Sequence, residues 1–177
     1  MIWGQVNFPF FGKDFAVCTL HRPSNVDDSE QLNSLVKVLC DISSVPIVFP
    51  THPRTQKNLY DETLQHANLH VLDPQGYLEF LYLQKEASYV VTDSGGIQEE
   101  TTYLGIPCLT LRSNTERPET VEFGSNKLLG NDIAAIKEAI CVVESGKWKK
   151  SRCPDYWDGK AGGRIVEILL KILSAGL

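Results

Sequence analysis

The sequence predicts an α/β domain built on a parallel sheet flanked by helices. Short apolar runs recur along the chain, the longer segments between most of them carry helix-period patterns, and four of the five runs are followed by a polar loop. At 177 residues the chain can form one compact domain with a sizeable core.

The runs lie at Phe15 to Leu20, Val45 to Phe49, Leu69 to Leu72, Tyr89 to Thr92 and Cys108 to Leu111. Between the first two, Leu32, Leu35, Val36, Leu39 and Ile42 fall on one helical face, and Ser29, Glu30 and Gln31 supply the polar start. Tyr77, Leu78, Phe80, Leu81 and Leu83 predict a second, more thoroughly apolar helix ending before Ser88. A third runs from Gly95 to Leu104 and is stopped by Gly105, Ile106 and Pro107. Asn131 or Asp132 caps a fourth helix through about Glu144, and a last one spans roughly Lys160 to Leu173. The opening stretch Met1 to Asp14, MIWGQVNFPFFGKD, does not fit this alternation and is rich in aromatics. It reads as a linker or as an arm covering a sheet edge, leaving residues 15–177 as the domain.

Net charge narrows the partners. Charged residues make up 22% of the chain and the balance is −5, a field that repels nucleic acid and anionic membrane surfaces. No apolar run approaches a membrane span and the start lacks a signal-peptide pattern, so a soluble, cytoplasmic protein is expected. Cys18, Cys40, Cys108, Cys141 and Cys153 include no CxxC pair and leave one thiol over, which predicts reduced, mostly buried cysteines. His66 and His70 have the spacing of two ligands on a helix face, but Leu69 to Leu72 reads as a strand and further ligands are missing, so no metal site is expected.

Successive strand-helix-strand units wind right-handed and leave ligand sites at the carboxyl ends of the strands. There the sequence places Thr19 to Asn25 with His21 and Arg22, Pro50 to Thr55 with His52 and Arg54, Asp93 to Gly96, and Arg112 to Glu119 with Arg117. The third of these opens the stretch DSGGIQEE. Ser94 is a candidate N-cap, and Gly95 and Gly96 leave the first helical turn bare, so that its backbone amides can approach an anion. A capping box from Ser94 would need Glu or Gln at position 97, which is Ile97, so Glu99 and Glu100 serve something else. They lie about 100° apart around a helix, so one can face the crevice while its neighbour points to solvent or to a basic residue. A carboxylate one turn behind a phosphate-binding helix start suits ribose hydroxyls, which together predicts a nucleoside diphosphate. The GxxxxGK[ST] and GxGxxG patterns are both absent. Arg117 offers a fork for a phosphate or a partner for Glu116, Glu119 or Glu122. Tyr77 is placed to stack on a base or to serve as a core aromatic.

The segments TLHRPSNVDD, VFPTHPRT, PQGYLEFLYL, VVTDSGGIQEETTYLGIPCLTLRSNTERPETVEFGSNKLLG and WDGKAGGRIVEIL closely resemble UDP-N-acetylglucosamine 2-epimerases, in order, from about Phe15 to Leu173. The resemblance implies a Rossmann-like three-layer parallel sheet, the C-terminal half of a glycosyltransferase-B (GT-B) architecture of two such domains. It implies inversion at C2 of UDP-N-acetylglucosamine to UDP-N-acetylmannosamine, by elimination of UDP and re-addition, with no cofactor or metal. By the same resemblance Ser94, Gly95 and Gly96 would hold the diphosphate, Glu100 the ribose, Arg117 the phosphate charge, and Tyr77 would lie near the uracil. His21 would assist the departing diphosphate. His52 and Arg54 match a loop that contributes to a second, regulatory substrate site in some members. The groups for C2 proton transfer belong to the family's N-terminal domain, so the chain by itself is expected to be inactive, and the full-length enzyme is expected to be a homodimer. A hydrolysing epimerase, a GT-B glycosyltransferase fragment and a stand-alone UDP-sugar-binding module stay open as alternatives.

Overall fold

The computed structural model describes residues 14–175. The segment read as a linker or arm therefore lies, but for Asp14, outside the described residues. In chain order the elements are β1 (Ala16–Thr19), α1 (Pro23–Val26), α2 (Ser29–Ile42), β2 (Ile47–Pro50), α3 (Pro53–Gln56), α4 (Asp61–Leu64), β3 (Leu69–Leu72), α5 (Tyr77–Glu86), β4 (Tyr89–Thr92), α6 (Gly95–Leu104), β5 (Cys108–Thr110), α7 (Pro118–Glu122), β6 (Asn126–Leu128), α8 (Ile133–Glu144) and α9 (Ala161–Ala175). The strands form one parallel sheet of order β3-β2-β1-β4-β5-β6. Connections turn outward in opposite directions from β1 and β4, so the two central strands form the switch point where the loops after them separate and leave a crevice.

Alternation along the strands sends side chains to both faces and makes three layers. Ala16, Cys18, Ile47, Phe49, Tyr89, Val91 and Leu109 pack with the buried stripes of α2 and α8. Val17, Val48 and Val90 pack on the opposite face with Phe15, Leu83 and Ala87, beside Phe80, Ile97 and Ile106. Strands covered on both sides explain why the runs read as continuously apolar.

All five expected helices, α2, α5, α6, α8 and α9, begin and end near the expected places, with Asp28 capping α2 and Asp132 capping α8 through side-chain oxygens that accept backbone amides. Gly105, with φ of 73°, closes α6 in the left-handed conformation that a residue with a Cβ adopts only at a cost. The helix α5 departs from expectation: its composition is apolar, yet Tyr77 and Leu78 are exposed and only Leu83 and Gln84 are buried. Strand β6 has no apolar run to announce it, because its buried Asn126 is satisfied by polar partners instead of being replaced by an aliphatic residue. Residues read as plain loops contain single helical turns, and α1, α3 and α7 each start on a proline, whose fixed φ suits the first helical turn.

Of the cysteines, Cys18, Cys40 and Cys108 are buried, Cys141 and Cys153 are exposed, and all five are free. His66 pairs with Asp41 at 3.0 Å, and among the described residues no group of three or more His, Cys, Asp or Glu could hold a metal ion. No helix among these residues is long and apolar enough to cross a membrane.

The last helix, α9, is the exception to good burial. Arg164 anchors its start through two bonds to Asp158 and one to the Tyr156 carbonyl. Beyond it Ile165, Val166, Ile168, Leu169, Leu170, Ile172 and Leu173 are all more than half exposed. A contiguous apolar face of this kind associates in water. The 177-residue chain is expected to sediment with a concentration-dependent coefficient, and Leu169→Glu with Ile172→Glu is expected to return it to the monomer value. Unchanged association in the double variant would place the contact elsewhere.

Candidate functional site

Asp93, at the carboxyl end of β4, organises the crevice. Its side chain is buried and accepts the backbone amides of His21 at 3.2 Å and Arg22 at 3.0 Å, and the amide nitrogen of Asn25 at 3.0 Å. It also meets the Nδ1 of His21 at 2.9 Å, while the Arg22 side chain donates back to its carbonyl. The loops after β1 and β4 are thus tied through one carboxylate, as adjacency of the two strands requires.

Electrostatics follow from this geometry. Hydrogen bonding to Asp93 raises the His21 pKa above its ordinary 6.5, against burial and the charge of Arg22. Burial alone would raise Asp93, but bonds from His21, Asn25 and the Arg22 backbone outweigh it and lower its pKa below 3.8. The His21 contribution to stability is therefore complete below pH 6.5 and fades as pH rises through its folded value. The Asp93 contribution is complete above pH 3.8 and fades as pH falls through its own. An NMR titration of the imidazole is expected to give a pKa above 6.5 that falls in Asp93→Asn; an unchanged value in that variant would refute the pairing.

Immediately after Asp93, α6 begins at the N-cap Ser94, whose side chain makes no capping bond, unlike Asp28 on α2 and Asp132 on α8. Ser94 occupies the expected position and leaves its hydroxyl available. Gly95 and Gly96 have no positive φ, and an added Cβ would meet nothing within 4 Å at Gly96 and only Glu116 Oε2, at 3.9 Å, at Gly95. Neither turn geometry nor packing inside the chain calls for glycine at these positions. Bare, uncapped amides at the start of a ten-residue helix make a ready anion cradle.

The loop after β5 closes the far side. Arg112 grips Glu116 through both oxygens, at 2.9 and 2.7 Å, and the hydrogen bond from Arg112 holds that carboxyl down at about 2. Thr115 donates to the buried Gln98 of α6 at 2.6 Å, which also accepts from Asn126 at 3.0 Å, so the loop, α6 and β6 are locked together. Arg117 pairs with Glu99 at 2.8 Å, not with Glu116, Glu119 or Glu122. The one contact to Glu116 is a bond to its backbone carbonyl. Both Arg117 and Glu99 are about two-fifths exposed, so the pair is weakly held and the guanidinium is free to exchange partners.

Glu100 takes the other direction. It accepts from Gln84 of α5 at 2.6 Å and, with Glu99, edges a cavity of about 420 Å³ lined by Tyr77, Leu81, Tyr103, Leu104 and Trp157. Tyr77 is 66% exposed and faces this cavity, so it is not a core aromatic. A second, polar cavity of about 360 Å³ opens beside Arg22, Asn25, Arg112 and Asn131.

The structure brings His21, Ser94, Gly95 and Gly96 together and sets Glu100, Arg117 and Tyr77 along the same helix and its flank. His52 and Arg54 stand apart from that group. His52 caps α3 by accepting the Arg54 amide at 3.2 Å, and the Arg54 side chain reaches Asp27 at 3.1 Å. Sequence reasoning gave no role to Asp93, Asn25, Gln84, Gln98 or Trp157. Asp93 was the one with a signal: a carboxylate directly following the short, largely apolar run Tyr89 to Thr92 must be paid for by donors nearby.

A parallel sheet with a 3-2-1-4-5-6 order and a glycine-bare helix start at its switch point define a Rossmann-like domain. The sequence pattern of the UDP-N-acetylglucosamine 2-epimerase family matches residues 4–170, and the chain belongs to that family. It is 43% identical over 166 residues to the UDP-N-acetylglucosamine 2-epimerase of Methanocaldococcus jannaschii, covering 88% of this chain and 44% of that protein. A UDP-2,3-diacetamido-2,3-dideoxy-D-glucuronate 2-epimerase of Pseudomonas aeruginosa is 38% identical over 160 residues, 89% of this chain and 45% of that one. The crystal structure of the M. jannaschii enzyme in complex with UDP-GlcNAc and UDP superposes with a TM-score of 0.76 at 42% identity, over 89% of this chain and 45% of that chain. An Escherichia coli heptosyltransferase, at 19% identity and a TM-score of 0.51 over 78% of this chain and 46% of that one, shares the fold alone. The chain thus spans less than half the length of these relatives.

Proposed function

We propose that this chain is the UDP-binding, C-terminal half of an epimerase that interconverts UDP-N-acetylglucosamine and UDP-N-acetylmannosamine. The observation that carries the proposal is the uncapped start of α6 beside His21, with Glu100 and an aromatic cavity one turn further on. The diphosphate lies on the amides of Gly95 and Gly96 and the hydroxyl of Ser94, Arg117 leaves Glu99 to face it, and Glu100 accepts from the ribose. The cavity beside Tyr77 is large enough for the base and its sugar, and its aromatic walls suit a planar ring. The complex of the M. jannaschii relative with UDP-GlcNAc and UDP supports this choice of ligand.

In the reaction, the bond from C1 of the sugar to the diphosphate breaks with the electron pair going to the leaving oxygen, and a base removes the proton from C2. A glycal and UDP result, and re-addition with protonation on the opposite face gives the epimer. His21, whose protonated form is favoured by its hydrogen bond to Asp93, offsets in that form the charge that grows on the diphosphate. The groups that move the C2 proton come from the part of the relatives that this chain does not span, and the 177 residues bind UDP without turnover. The full-length enzyme is a cytoplasmic homodimer in this reading, with His52 and Arg54 contributing to a second, regulatory substrate site.

Calorimetric titration of the chain with UDP, with ADP and UMP as controls, tests the proposal. Selective binding of UDP is expected, weakened about tenfold or more in Glu100→Ala and in Arg117→Ala. A folded chain that does not bind UDP, or binds ADP equally, would overturn it.

A further inference from the structure

Gln84 is fully buried on α5, beside Leu83 and Ala87 in the apolar layer that covers the sheet. Its Nε2 donates to Glu100 Oε2 at 2.6 Å, and its Oε1, equally buried, has no hydrogen-bond partner. A buried carbonyl without a donor is a standing cost, and a methionine or leucine would fill the same space without it. What the amide supplies, and an aliphatic residue cannot, is the bond to Glu100. The direction of that bond is fixed, since an ionised carboxylate only accepts.

Glu100 needs the support. It is half-buried at the rim of the aromatic cavity, next to Glu99, which is drawn toward Arg117. A glutamate left to itself there samples several rotamers, and a ligand that binds it must remove that freedom. The bond from Gln84 occupies one carboxylate oxygen, and Glu100 also lines the cavity, which gives its second oxygen a place to accept from a ligand.

We propose that Gln84 is a positioning residue that presets Glu100 for the ribose hydroxyls and thereby sets the preference of the site for a ribonucleotide. This rests on the assignment of Glu100 to the ribose made above. The preference is created by a residue on another helix, sixteen positions earlier and behind the cavity wall.

Binding of UDP and of its 2′,3′-dideoxy analogue to the unsubstituted chain, Gln84→Met and Glu100→Ala provides the test. The unsubstituted chain is expected to prefer UDP, and Glu100→Ala to lose the preference. Gln84→Met is expected to weaken UDP roughly three- to tenfold while leaving the dideoxy analogue unchanged, so that the ratio shrinks. A merely structural role would weaken both ligands alike and leave the ratio intact, and that result would overturn the proposal. Gln84→Asn keeps an amide in the layer but falls short of Glu100; it is expected to lose the ratio too, and it replaces the methionine variant should that one not fold. Failure of UDP to bind the unsubstituted chain would remove the nucleotide assignment itself, whereas a ratio lost in Glu100→Ala but kept in both Gln84 variants would remove only the role of Gln84.

Discussion

Asp93→Ala is expected to lower the stability of the domain by about 3–5 kcal/mol and to abolish UDP binding. The carboxylate receives the amides of His21 and Arg22 and the side chain of Asn25, and its loss leaves those buried or half-buried donors facing an apolar hole. Each unmade bond carries a desolvation cost, and together they account for the range given. Asn25 also donates to the Leu111 carbonyl and receives Asn131, so the disturbance spreads to the loops after β5 and β6. Urea unfolding monitored by circular dichroism measures the loss. A change below about 1 kcal/mol would mean that water replaces the carboxylate without penalty and that Asp93 is not the tie between the loops.

Gly96→Val is expected to do the reverse. A Cβ added at this exposed position meets nothing within 4 Å, and valine is no worse a helix former than glycine, so stability should stay within about 0.5 kcal/mol. UDP affinity should fall by about a hundredfold, because the branched side chain stands where a phosphate must approach the amides. Matching unfolding curves with a lost titration signal would separate the binding surface from the folding core within a single residue. Retained affinity would show that the diphosphate lies elsewhere.

The sheet was legible where burial on both faces produced unbroken apolar runs, as at Val90 and Val91, and the helices where apolar stripe and cap agreed, as on α8 behind its cap Asp132. Strand β6 was hidden because Asn126, Gln98, Thr110 and Thr120 solve burial with hydrogen bonds, which leave no periodic apolar mark. At the candidate site, the loop positions of His21, Ser94, Gly95 and Gly96 could be read from topology, since strand ends converge. The choice of Glu99 for Arg117 could not, because several carboxylates lie equally near in sequence and only the folded distance of 2.8 Å selects one. Gln84 was invisible for a related reason: a glutamine within an apolar helix reads as its wet face until the packing shows it buried.

The tie between His21 and Asp93 joins positions 72 residues apart, across the pairing of β1 with β4. No hairpin or single crossover made early in folding contains both partners, so this crevice is among the last features to be completed. Pairings of such long range close slowly, and the ligand has nothing to recognise until they have closed. UDP in the refolding buffer should therefore leave the folding rate untouched and slow unfolding, acting as a lock on the finished domain and not as a template for it.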